Sequence, residues 1–182
     1  MSLRFIVYCL ALVLGGGLIQ QYIFIAQPAS SPLPDRMAPK YDSLPLPYDS
    51  LAEPEKRLPD YALAALKVPD DLEVTLFAAE PMLVNPTSMA VDSRGRVWVC
   101  EGYNYRPSLN KVSKSDFGDR ILILEDTDGD GRADRTKVFY QGPELNAPMG
   151  IWVMGRQVIV SQSPYVWLLT DDNGDDIADR KE

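Results

Sequence analysis

Two stretches of this sequence carry chemistry in their spacing. Asp126-Thr-Asp-Gly-Asp-Gly-Arg-Ala-Asp134 sets carboxylates at alternate positions around glycines, and 45 residues further on Asp171-Asp-Asn-Gly-Asp-Asp-Ile-Ala-Asp179 does so again. Alternating oxygens on a tight turn suit a hard cation such as Ca2+. With Asp126 at position one, Asp128 falls at three, Asp130 at five, Gly131 at six, the Arg132 carbonyl at seven and Asp134 at nine. Carboxylates so close repel one another by roughly a few kcal/mol, and a divalent ion removes that cost. Position twelve is Lys137 instead of a bidentate glutamate and no helical pattern flanks the loop. The expected site is therefore a β-hairpin analogue of an EF-hand, completed by ligands from elsewhere. In the second loop Asp171, Asn173, Asp175 and Asp179 take the ligand positions, Asp176 replaces the glycine, and Glu182 falls at twelve. The alternative for both loops is a solvated Asp-Gly turn whose aspartates cap backbone amides.

A third candidate is Glu101-Gly-Tyr-Asn-Tyr-Arg106. Glu101, Tyr103, Asn104, Tyr105 and Arg106 suit a hydroxyl-rich ligand, the alternative being a surface loop with a Tyr-Arg stack. Trp98, Trp152 and Trp167 sit within strand-like runs, so core positions are expected for all three. Other chemistries are excluded for these residues. The sequence has no histidine, hence no imidazole base, no Ser-His-Asp triad, no histidine-ligated metal and no c-type haem motif. Cys9 and Cys100 alone cannot build a disulfide framework or a cysteine zinc site. The net charge of −8 is more than accounted for by the nine aspartates of the two loops, and no basic stripe points to nucleic acid.

The elements that must position these residues read as β after Pro69. Leu72 to Phe77 alternates, and Ser88 to Asp92 and Val97 to Cys100 flank a Gly-containing hairpin signal. Ile121 to Leu124 enters the first loop and Lys137 to Tyr140 leaves it. Gly150 to Val153, Gln157 to Val160 and Val166 to Leu169 repeat the order into the second loop. Short strands in units of about forty-five residues are the mark of propeller blades, with a solenoid or sandwich as rivals. The fold class is thus all-β, with residues 71–182 holding about two blades of an incomplete propeller, since closure needs at least about four. Residues 27–70 form a Pro-rich linker, with a short helix expected around Tyr61 to Leu66. Within it Tyr41-Asp-Ser-Leu44 recurs as Tyr48-Asp-Ser-Leu51, a locally duplicated linker segment with a docking motif as the alternative. Residues 1–26 are apolar after Arg4 and are expected to form a helix, either a signal peptide or a membrane anchor, placing the remainder outside the cytoplasm.

From about Ala62 the chain resembles a family of large exported bacterial membrane-bound dehydrogenases, whose propellers are related to the soluble glucose and sorbosone dehydrogenases. The resemblance rests on Lys67-Val-Pro-Asp-Asp-Leu-Glu-Val-Thr-Leu-Phe-Ala-Ala-Glu-Pro81, Asn85-Pro-Thr-Ser-Met-Ala-Val-Asp92, Gly95-Arg-Val-Trp-Val-Cys-Glu101, Asp119 to Asp134 and Asn146-Ala-Pro-Met-Gly-Ile151. It covers about two thirds of the chain and only the opening of the family's propeller. It implies a periplasmic or surface six-bladed propeller. It also implies Ca2+, pyrroloquinoline quinone, a histidine base and a cytochrome c module as partner, with sugars or related alcohols as substrates. This chain departs from that pattern in lacking histidine and a C-x-x-C-H motif. A non-catalytic scaffold that binds a glycan or a protein is the competing expectation.

Overall fold

The structure is a computed structural model, and it describes residues 7–12, 21–28, 52, 58–64, 66, 69, 72–105 and 116–182. Its elements are β1 (Val7–Leu12), β2 (Gln21–Pro28), α1 (Pro59–Ala64), β3 (Leu72–Ala79), β4 (Pro86–Val91), β5 (Val97–Glu101), β6 (Asp119–Glu125), β7 (Arg135–Gly142), β8 (Gly150–Met154), β9 (Gln157–Gln162), β10 (Tyr165–Thr170) and β11 (Arg180–Lys181). They form three antiparallel sheets, β1-β2-β3, β4-β5-β6-β7 and β8-β9-β10-β11. Among the described residues the protein is all-β apart from α1. Backbone proximity divides it into two compact units, Met1–Glu80 with Asp128–Arg132, and Pro81–Thr127 with Ala133–Glu182.

In the first unit the described leader residues are strands, which corrects the expected N-terminal helix. The physical reason lies in composition: Val7-Tyr-Cys-Leu-Ala-Leu12 and Gln21-Tyr-Ile-Phe-Ile-Ala-Gln-Pro28 are short runs with β-branched and aromatic residues, separated in sequence by a segment that contains Gly15, Gly16 and Gly17. An apolar run of this length cannot be assigned to helix or strand by periodicity. Among the described residues no helix is long and apolar enough to cross a membrane. The expected short helix is present as α1, where Ala62 and Leu63 pack with Phe24 of β2 and Leu76 of β3. Most of the Pro-rich linker lies outside the described residues, as does its duplicated Tyr-Asp-Ser-Leu segment.

The second unit holds the two four-stranded sheets. Each is a meander of sequential neighbours, and the first strands of the two, β4 and β8, lie side by side. One core joins them: Trp98, Cys100, Ile121, Ile123 and Phe139 from the first sheet meet Val158, Val160 and Leu169 from the second. Trp98 and Phe139 meet edge to face with centroids 4.8 Å apart, a favoured aromatic geometry. Strand alternation decides which tryptophans are core. Ile151 and Val153 of β8 turn toward this core, so Trp152 between them faces the other way and is 67 % exposed. The core expectation is met for Trp98, is met in part for the half-buried Trp167, and is corrected for Trp152.

Candidate functional site

The strand register separates two ends of these sheets. Val91 opposes Val97, and Leu124 opposes Val97 from the other side, so the β4–β5 hairpin and the aspartate loop between β6 and β7 share one end. Glu101 opposes Arg120 and Asp119 opposes Gly142, so the long β5–β6 connection and the β7–β8 connection share the opposite end. The metal candidates and the ligand-loop candidates of the sequence therefore occupy opposite ends of the strands.

In the first aspartate loop, carboxylate oxygens of Asp126, Asp128 and Asp130 lie within 4.8 Å of one another. Oxygens bound to a single Ca2+ at about 2.4 Å can be no farther apart than this, so the three meet the distance limit for sharing an ion. The turn is made by glycines at positive φ, Gly129 at 78° and Gly131 at 83°. Local bonds hold the carboxylates in place: the Asp130 amide donates to Asp128 Oδ1 (3.2 Å) and the Arg132 amide to Asp130 Oδ1 (2.8 Å). Asp134 is not brought into the triad. Its carboxylate accepts from the Thr127 amide and hydroxyl, each at 2.9 Å, and closes the base of the loop.

The second loop uses its aspartates differently. Asp171 is buried, and its carboxylate accepts from the amides of Gly174 (2.6 Å), Asp175 (3.3 Å) and Asp176 (3.0 Å). Asn173 Oδ1 accepts from the Asp175 amide, Asp175 Oδ1 from the Ile177 amide, and Asp179 from the amides of Asp172 and Asn173. Among the described residues, the group of acidic side chains close enough to hold one ion is in the first loop. Asp176 holds φ at 61° where the first loop has glycine, a conformation that costs a residue with a Cβ about 1 kcal/mol.

At the opposite end Glu101 is 0 % exposed. It accepts from the Val84 amide at 2.7 Å and from Arg120 Nε at 2.5 Å. Burial pushes its pKa up, against the lowering influence of Arg120. Asp119, also 0 % exposed, accepts from the amides of Asn104 (2.7 Å) and Ala147 (2.5 Å), and burial likewise raises its pKa. Asp119 thus pins the two connections at this end, and Glu101 ties Val84, just before β4, to Arg120 of β6. Asn104 is buried with them, Tyr105 is half-buried, Tyr103 is 37 % exposed, and Arg106 lies outside the described residues. Cys100, next to Glu101, is a buried free thiol pushed up to about 12 by burial and then by the Asp119 charge. Asp119 is not among the residues whose type and spacing point to a site. Its signal was a lone acid opening an apolar strand, directly after Gly118.

The class so defined is an all-β protein of paired four-stranded meanders with a carboxylate triad on a repeated turn. The chain belongs to the family described as Domain of unknown function (DUF7133), whose profile matches residues 58–182. No curated protein and no solved structure matches it.

Proposed function

We propose that the two sheets are neighbouring blades of an extracytoplasmic β-propeller whose first aspartate loop holds a structural Ca2+. The observation that carries this reading is the Asp126, Asp128 and Asp130 triad, whose hard oxygen donors and mutual distances suit that ion. The side-by-side first strands and the shared core between successive meanders support the blade arrangement. The extracytoplasmic placement rests on the family resemblance, because the described leader residues form strands and β2 pairs with β3.

The dehydrogenase resemblance assigns such a propeller quinone-dependent oxidation of sugars or alcohols, with electrons passing to a cytochrome c module. These residues supply no imidazole base. The guanidinium at the described loop end, Arg120, is committed to Glu101, so these residues do not by themselves fit a tricarboxylate quinone. We therefore assign this part of the chain a scaffold role within that propeller. A second reading, a propeller that only binds a glycan or protein, is favoured by the exposure of Tyr103 at 37 % and Phe117 at 77 % where the long loop leaves and rejoins the sheet.

Calorimetric titration with CaCl2 tests the assignment. One binding event, lost in Asp128→Ala and accompanied by a calcium-dependent rise in Tm, is expected. Absence of both heat and Tm shift in the unsubstituted chain would leave the triad a polar turn.

A further inference from the structure

The second aspartate loop departs from the first at position six, where Asp176 (φ 61°) stands for Gly131 (φ 83°). Glycine adopts this backbone readily, whereas aspartate does so only with strain. What the Asp176 side chain gains there is found on the neighbouring sheet. Its Oδ1 accepts from Arg94 Nη2 at 3.2 Å and its Oδ2 from Arg96 Nη1 at 2.8 Å. Arg96 is buried and held from behind by Asp92 at 2.8 Å, and Asp92 also accepts from Trp98 Nε1 at 3.0 Å. Lys137, the departure at position twelve of the first loop, donates to the carbonyl of Asp175. The Ala178 amide donates to the Phe139 carbonyl at 2.9 Å. The departures at Asp176 and Lys137 are therefore contacts between the two sheets.

We propose that the second loop is an ionic clasp that fixes the second sheet on the first, and that Arg94, Arg96 and Lys137 supply the positive charge a divalent cation would supply in the first loop. The remaining carboxylates fit this reading. Asp171 is filled by three amides, and Asp172 is paired with Arg180 at 2.6 Å. The first loop cannot act in the same way, because Gly131 offers no side chain at the clasp position. The clasp is independent of whether the first loop holds Ca2+.

Asp176→Gly separates the clasp from a plain turn. It relieves the backbone strain while removing the carboxylate, so a plain turn predicts an unchanged or higher Tm, and the clasp predicts a fall of about 4 °C. That fall should shrink in about 1 M NaCl, where exposed ion pairs are screened. Arg94→Met, at an exposed side chain, provides a second variant, and its effect should be smaller in the Asp176→Gly background than alone. Calcium titration should find no site sensitive to Asp175→Ala. An unchanged or higher Tm for Asp176→Gly, additive effects of the two variants, or a calcium site abolished by Asp175→Ala would overturn the proposal. Failure of the whole chain to bind calcium would sink the first-loop assignment and leave the clasp standing.

Discussion

At the end where β5 passes into β6, the carboxylates of Glu101 and Asp119 are wholly buried and committed to Arg120 and to backbone amides. At the end where β6 passes into β7, Asp126, Asp128 and Asp130 converge on one another at a turn where Asp128 is exposed. The same functional group thus does opposite work. Buried singly, a carboxylate organises backbone donors that would otherwise go unsatisfied. Gathered at the surface, carboxylates repel one another, a cost that a cation or water reduces. The loop end is a fixed frame, and the turn end is where the proposed Ca2+ would bind.

Breaking the frame should have the largest effect. Asp119→Ala leaves the Asn104 and Ala147 amides without their acceptor, and bonds to a charged group lost in pairs amount to roughly 4 kcal/mol. Urea unfolding should show this as a lower midpoint, with Asp119→Asn falling between the variant and the parent. A loss below about 1 kcal/mol would mean the amides find other partners.

Glycine substitutions compare the two ends at matched backbone. Gly118 has φ at 78°, and a Cβ there would collide with the Gly142 carbonyl. Gly95, in the β4–β5 hairpin, has φ at 82° and open space around it. Strain alone predicts a cost of roughly 1 kcal/mol for Gly95→Ala, and strain plus overpacking predicts about 3 kcal/mol for Gly118→Ala. Equal costs would show that the close approach of β6 and β7 at the loop end is relieved by small backbone shifts.

Much of this frame was legible in the sequence, because its strands are edged by turn chemistry. Each predicted strand from Leu72 to Leu169 is present with its ends moved by a few residues. The leader was not legible, since an apolar run without polar neighbours carries no period. In sequence Glu101 has the character of a ligand contact, a charged group beside tyrosines. Its burial depends on Arg120, 19 residues away, and on a register that only pairing fixes. Asp176 looked like a defect in a cation loop for the same reason, since its partners Arg94 and Arg96 lie on the preceding sheet.

At the turn end, Asp128→Ala should change sign with calcium. Without the ion it removes a repelling charge and raises stability by about 0.5 kcal/mol, whereas with calcium at a hundred times its Kd it forfeits up to about 2.7 kcal/mol of linkage. Thermal melts with EGTA and with excess CaCl2 read both signs, and the same sign in both would exclude an ion on the triad.

The smallest effect is on pH dependence, and it distinguishes the ends by direction. Glu101 and Asp119 have pKa values raised by burial above the ordinary carboxyl range. Between the unfolded value near about 4 and the higher folded value, the native state binds more protons, so stability falls as pH rises through that window. Burial also presses upward on Asp92 and Asp176. It is outweighed by Trp98 and Arg96 on the first and by Arg96, Arg94 and Lys137 on the second, leaving both lowered. Their contribution is present above the unfolded pKa and is lost as pH falls through the folded one. Asp119→Asn should therefore flatten the decline above about pH 4, and Asp176→Asn should flatten the acid limb below it. Tm measured across pH 2.5 to 7 in the two variants checks both, and a single variant flattening both limbs would show that the ends do not titrate independently.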